Sequence, residues 1–281
     1  MLKKLVFLLL IVLLTLSLPA MAEEEVILGR LTKLGVDEDT LNEAISDVFF
    51  SLVPFSRYQF FDTLNSMVLA LNSKAIAGLQ VDEYTAKYLM SRNENFVEFK
   101  TSAAPPYLLD YSMLLREENA ELRDSISAAI EDMRADGTLD ALKQQYIDNV
   151  IAGTEPDAIP VEKFEGAETI KVALTGDRPP MDYFSAAGEP IGFNTALLSE
   201  VGKRLGKNVE FVSIDTGART VSLSSGASDI VFWSEAGNFD NWDGADTEDQ
   251  PENTVVTKPY LTGLITYVVL AGSPEAALSE D

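Results

Sequence analysis

Residues 170–206 read IKVALTGDRPPMDYFSAAGEPIGFNTALLSEVGKRLG, and three changes of pattern within that stretch decide the fold class. Residues 170–174 are a short apolar run of strand character. From Gly176 to Pro180 the chain turns, since glycine and proline punctuate periodic structure. Leu197, Leu198, Val201 and Leu205 then recur at helical spacing. The alternation continues downstream with a strand over 209–214, a short helix, a strand over 229–233 and an apolar strand over 264–270. Strands alternating with helices predict an α/β fold built on a mostly parallel sheet with helices on both faces.

The upstream half repeats the pattern. An aromatic strand over 57–61 leads to Asp62, read as the N-cap of a helix carrying Leu64, Met67, Val68 and Leu71. A second strand over 75–81 meets Asp82, which caps a helix bearing Ala86, Leu89 and Met90. Leu122, Ile126, Ala129, Ile130 and Met133 mark a long helix stopped at Asp136-Gly137, and Thr138 caps a further helix. Residues 151–168 hold two prolines, two glycines and five acidic residues without periodicity, the signature of an exposed linker. The expected organisation is a leader over 1–22, an α/β domain over 23–150, a linker over 151–168 and a second α/β domain over 169–281.

The leader rests on Lys3 and Lys4, the apolar run from Leu5 to Leu18, and Ala20-Met21-Ala22 before Glu23, the pattern of a cleaved secretory signal. A periplasmic or secreted protein is expected. Acidic residues outnumber basic ones 45 to 21, a formal charge of −24 that repels phosphate backbones and removes nucleic acid as a partner. The chain has no cysteine, hence no disulfide, thiolate nucleophile or lipid-bearing cysteine. It has no histidine either, so mechanisms built on an imidazole base are excluded. No cofactor is expected, and no loop matches the calcium-binding EF-hand spacing.

Lys171-Val-Ala-Leu-Thr-Gly-Asp-Arg-Pro-Pro-Met-Asp-Tyr-Phe184, Gly188-Glu-Pro-Ile-Gly-Phe193, Lys203-Arg-Leu-Gly206, Leu223-Ser-Ser-Gly226 with Asp229-Ile-Val-Phe-Trp233, and Lys258-Pro-Tyr260 together resemble the first lobe of the bacterial extracellular solute-binding proteins, family 3. The upstream half resembles the second lobe of that family through Phe61-Asp-Thr-Leu64, Val81-Asp-Glu-Tyr-Thr-Ala-Lys-Tyr-Leu89 and Ala135-Asp-Gly-Thr138. In the family this lobe follows the first, so a circularly permuted order is expected, with a remnant of a tandem array whose lobes do not face each other as the alternative. The resemblance implies a two-lobed periplasmic-binding-protein-like fold (type II), each lobe a mostly parallel sheet flanked by helices. It also implies a non-catalytic monomer that binds an amino-acid-like small polar solute for an ABC transporter permease.

The candidate ligand-binding residues follow from this resemblance and from the rule that ligands sit at the carboxyl ends of parallel strands. They are Asp82, Arg178, Tyr183, Phe184, Trp233, Ser234 and Glu235. Asp82 matches the family's ammonium-binding aspartate and is equally a helix cap. Arg178 is a bidentate carboxylate clamp or a solvated loop charge. Of Tyr183 and Phe184, one is expected in the core and the other in the cleft. Trp233 offers a ring wall or packs under a loop, while Ser234 and Glu235 follow the strand and are placed for hydrogen bonding. The family's usual arginine clamp is missing, since no arginine occurs after Arg219, and this leans the expectation towards a cationic or neutral solute. Asn194 is expected to cap its helix and Arg219 to pair with Asp215. Residues 239–250 are expected to form a solvated acidic loop beside the cleft. Two alternatives stand beside transport: a degenerate sensing module of the same fold, and a carboxylate-dependent enzyme using Glu235.

Overall fold

A computed structural model describes residues 59–100, 108–156, 158–236 and 250–279. The leader and the expected loop at 239–249 lie outside the described residues, and so does most of the strand expected at 57–61. Among the described residues no helix is long and apolar enough to cross a membrane.

The first helix, α1 (Leu64–Asn72), is capped by Thr63, whose hydroxyl accepts from Ser66 N at 3.1 Å, rather than by Asp62. Strand β1 (Leu79–Asp82) runs directly into α2 (Glu83–Arg92), and β2 (Phe96–Phe99) follows. The long β3 (Leu108–Arg116) leads through a 3-10 turn into α3 (Ala120–Ala135). That helix stops where Gly137 takes φ 82°, and α4 (Thr138–Lys143) runs on through a π turn to Ile151. After the segment at 151–168 come β4 (Thr169–Leu174), the small three-stranded sheet of β5 (Asp177–Arg178), β6 (Asp182–Phe184) and β7 (Pro190–Ile191), and then α5 (Phe193–Leu205). Strand β8 (Asn208–Ser213), α6 (Arg219–Ser224), β9 (Ile230–Ala236), β10 (Thr254–Val256) and β11 (Leu261–Leu270) complete the chain.

The fold is α/β, and its main sheet is mixed, in the order β1-β11-β3-β9-β4-β8 with β10 added on β3 and β2 on β11. Only the pairings of β4 with β8 and with β9 are parallel. The others are antiparallel, which corrects the expectation of mostly parallel sheets. The reason is topological. Strand β11 starts beside β3 at Leu261–Leu264 and ends between β1 and β2, whereas β3 enters the larger part of the sheet from the opposite end. A strand that leaves a lobe and one that enters it run in opposite directions.

Three apolar clusters separate the layers. The largest lies on one face of the sheet and joins Met113 and Leu115 of β3 to Ile126 and Ile130 of α3 and to Leu197 and Val201 of α5. Leu114, Ala173, Leu223, Val231 and Val256 form a cluster on the opposite face, under α6. Alternate residues of β3, β4 and β9 therefore enter different cores, as expected of strands buried on both faces. The third cluster, Leu71, Leu79, Ala86, Leu89, Phe96 and Val268, is the core of a smaller lobe made of α1, β1, α2, β2 and the end of β11. Residues 108–151 pack in the larger lobe with the downstream strands, so the segment at 151–168 divides the chain order and not the cores. From Phe60 onward the chain packs as one compact unit. Where β11 passes between lobes it carries Gly263, at which a β-carbon would come within 2.9 Å of the Tyr84 ring and 3.3 Å of the Tyr111 ring.

Candidate functional site

Asp82 ends β1 and caps α2. Its Oδ1 accepts from Tyr84 N (3.1 Å) and Thr85 N (3.0 Å), and its Oδ2 accepts from Thr85 Oγ1 (2.8 Å). The cap reading is thus realised, and a fourth contact joins it. Arg178 Nη2, from the larger lobe, donates to Asp82 Oδ2 at 3.3 Å. The Asp82 carboxylate is almost fully buried, while the Arg178 side chain keeps 30% of its surface exposed. Burial works against the charge on Arg178, but Asp82 and then Asp182 more than offset this and raise its pKa.

Around this pair lies a polar seam between the lobes. Asp182 is buried and accepts from Thr175 Oγ1 (3.1 Å), Gly176 N (3.3 Å) and Asn194 Nδ2 (3.1 Å). Burial raises its pKa, and the nearby Arg178 charge opposes the shift. Asn194 Oδ1 in turn accepts from Tyr260 Oη at 3.0 Å. Asn194 is therefore a buried link within the seam, not a cap. The cap position is Gly192 at φ 109°, where a β-carbon would come within 2.5 Å of Met181 O. The floor is aromatic: Tyr111 meets Tyr84 at 6.2 Å and Tyr260 at 6.3 Å between ring centroids. The Tyr111 hydroxyl is buried and faces Asp82 without completing a hydrogen bond, and burial followed by that carboxylate raises its pKa.

The hairpin that carries Arg178 touches the smaller lobe at two further points. Leu64 N, at the start of α1, donates to Asp177 Oδ2 at 3.3 Å. The Tyr183 ring lies 6.5 Å from that of Tyr88 on α2, and burial pushes its phenol up to about 12. Phe184 is part-exposed and lies over Gly176, where no β-carbon has room. Neither Tyr183 nor Phe184 enters the core, contrary to the expected division between them; both belong to a short two-sided hairpin too small to have an inner face. Trp233 packs with Ile214 on the cluster under α6, the face of the sheet opposite Tyr111. Ser234 is the cross-strand neighbour of Tyr111, and Glu235 is in register with Asp110. The structure therefore brings Asp82, Arg178 and Tyr183 together at the lobe junction and leaves Trp233 outside the seam.

Sequence reasoning missed Tyr111, Asp182 and Arg219. Arg219 forms no ion pair with Asp215 among the described residues. It starts α6, after β8, and Arg178 follows β4; the two strands are parallel neighbours whose ends, Leu174 and Ser213, are paired. Both arginines thus stand at one carboxyl edge of the sheet, where ligands of open α/β folds bind. Burial and then the Arg178 charge lower the pKa of Arg219. Its signal in the sequence was its place after the second strand of a parallel pair. Among the described residues no cluster of three or more acidic side chains is arranged to hold a metal. A groove of about 530 Å³ lies at the far end of the smaller lobe between residues 71–77 and 270–275, and no unpartnered buried polar group among the described residues lines it.

The segment that carries this hairpin and edge is similar to a known family. Residues 170–275 match the bacterial extracellular solute-binding proteins, family 3. The match covers the small hairpin sheet and strands β4 and β8 to β11 but not β3, and it contains Arg178, Tyr183, Phe184, Trp233, Ser234 and Glu235. Among curated proteins no sequence relative was found. Solved structures of similar fold include the GluR0 ligand-binding core in complex with L-glutamate, 11% identical, covering 83% of this chain and 78% of that one at a TM-score of 0.39. The periplasmic binding protein AgaA from A. tumefaciens R10, in complex with agropinic acid, is 11% identical over 76% of this chain and 55% of its own, TM-score 0.42. A phosphate-binding protein of a phosphate ABC transporter from Streptococcus pneumoniae TIGR4 is 11% identical over 74% and 72%, TM-score 0.35. These are distant, partial likenesses to the solute-binding fold.

Proposed function

We propose that the protein is an extracytoplasmic, non-catalytic solute-binding protein that closes two lobes around a small polar solute of amino-acid size and presents the closed form to an ABC-type import permease. The observation that carries this reading is the Asp82–Arg178 pair, which joins the two lobes across a buried polar seam lined by Tyr111, Asp182 and Tyr260. A ligand favours closure only as far as it binds the closed form more tightly, and the Asp82–Arg178 pair couples the two lobes at the site. The family match over 170–275 supports an extracytoplasmic location and a binding role. The reversed lobe order is part of the proposal: the core of the smaller lobe is built mainly from residues upstream of the matched segment.

A thermal-shift screen of the full chain against amino acids, polyamines, short peptides, organic acids and sugars tests this. A ligand specific for the folded state adds about 2.7 kcal/mol at a hundredfold excess over Kd, a readily visible shift. One chemical class raising the melting temperature supports solute binding. Silence across the panel with a cooperative melt favours a sensing or interaction module of the same fold, a reading to which the internally satisfied Asp82 gives specific weight.

A further inference from the structure

A carboxylate offers about four acceptor sites, and Asp82 spends all four within the protein: on Tyr84 N, Thr85 N, Thr85 Oγ1 and Arg178 Nη2. It has no acceptor left for the ammonium of a ligand. Asp182 is similarly engaged by Thr175, Gly176 and Asn194. The donors are in the opposite condition. Arg178 carries five N–H groups and among the described residues its side chain makes one hydrogen bond, to Asp82. Arg219 makes no ion pair among them and stands at the same edge of the sheet. The Tyr111 hydroxyl, on a residue only 3% exposed, has no partner. Among the buried carboxylate oxygens of the described residues Asp177 Oδ1 alone is unspent, although the charges of Asp182 and Asp177 also act on Arg219.

We propose that the seam, when the lobes part, takes a small dicarboxylate without an amino group, held between Arg178 and Arg219 with the Tyr111 hydroxyl donating to it, while Asp82, on the smaller lobe, orients Arg178 and so couples the bound acid to closure. The inference rests on the solute-binding reading above and names its substrate class. Planar guanidinium groups meet carboxylates through paired hydrogen bonds, and two guanidinium groups at one edge suit an acid with two heads. It departs from the cationic or neutral solute to which the overall acidity of the chain leans, because the net charge of the chain does not describe the groups left unpaired at the seam.

Succinate, L-aspartate and succinamide are matched probes, since the second adds only an ammonium and the third removes the charge. Calorimetric titration of the full chain is expected to show succinate binding, L-aspartate binding about tenfold or more weakly, and succinamide not binding. Arg219→Gln is expected to weaken succinate by about 10- to 100-fold, the worth of one or two charge-assisted hydrogen bonds, with Arg219→Lys intermediate and both variants melting cooperatively. If the glutamine variant does not fold, the lysine variant decides by the same ranking. L-Aspartate binding more tightly than succinate, or either Arg219 variant binding succinate like the parent, overturns the dicarboxylate assignment and leaves the solute-binding reading standing. Silence towards these probes and towards every solute of the thermal screen overturns both.

Discussion

The two lobes are built to different standards. In the larger one, β3, β4 and β9 are buried on both faces and feed two cores, so each strand is fixed from above and below. The smaller lobe has a single core of six buried residues closed over three short runs of strand. What joins the lobes mixes polar and aromatic contacts: Asp82 to Arg178, Leu64 N to Asp177, Arg92 Nη2 to Val150 O, the Tyr88–Tyr183 ring contact, and Tyr84, which packs in the large core beside Tyr111. Apolar packing resists graded deformation, whereas a few charged contacts can be exchanged for contacts with a ligand. By this measure the larger lobe is the more firmly built platform, and the smaller lobe has the thinner core.

The largest effect should come from the platform. Phe193, fully buried beneath Tyr260 at 6.1 Å between ring centroids, anchors the start of α5 to the large core. Phe193→Ala is expected to cost about 3–5 kcal/mol, read as a lower denaturant midpoint at unchanged slope, with exchange protection falling throughout the chain. Leu79→Ala, in the smaller core, should cost about 2–4 kcal/mol and act differently. Hydrogen exchange should accelerate in β1, α1 and α2 while β4 and β9 keep the parent's protection. Equal loss of protection in both lobes would merge them into one cooperative body and end the contrast.

The junction comes next. Arg178→Met keeps the length of the side chain and removes the charge, leaving Asp82 buried with one acceptor site unmet. A cost of about 1–3 kcal/mol is expected, reduced by the part-exposure of the arginine. The sharper readout is shape: small-angle scattering of the ligand-free protein should give a larger radius of gyration for the variant than for the parent. An unchanged radius would mean that apolar contacts alone hold the lobes together. Asp82→Ala should open the lobes as well and also shorten α2 from its first turn, seen as lost protection at Tyr84 N and Thr85 N.

How far this was legible in the sequence depends on the range of each interaction. Strands expected at 170–174, 209–214 and 229–233 are found at Thr169–Leu174, Asn208–Ser213 and Ile230–Ala236, because apolar runs bounded by turns are local signals. The Asp82 cap was readable for the same reason. Strand β3 was not identified, although Leu108 to Leu115 is largely apolar, and its insertion between β9 and β11 joins residues more than a hundred positions apart. Nothing local encodes such a pairing. At the site, Asp82 and Arg178 were each identified, but their union was not, since it spans 96 positions. Arg219 was assigned to its sequence neighbour Asp215, whereas the sheet edge sets it near Arg178. Asn194 was given a capping role because the pattern of its helix start hides the fact that Gly192 alone fits against Met181 O.

The smallest effect tests the platform from its surface. Asp136, between α3 and α4, accepts from Thr138 N at 2.9 Å and from Arg204 Nη2 of α5 at 2.8 Å. Thr138, through its hydroxyl and its N–H, and then Arg204 lower its pKa from 3.8 to about 2. A carboxylate whose folded pKa lies below its unfolded value binds fewer protons in the native state. Its contribution is therefore complete above the unfolded value and is lost as the pH falls towards the folded one. Parent and Asp136→Asn should accordingly differ by a constant small amount from neutrality down to about pH 4, and the difference should vanish between there and about pH 2. Because the group is exposed to solvent, the difference should also shrink with added salt. A carboxyl carbon titration with a midpoint near 3.8 would show that the link from α3 to α5 is not made, and would remove Asp136 from the contacts that stiffen the larger lobe.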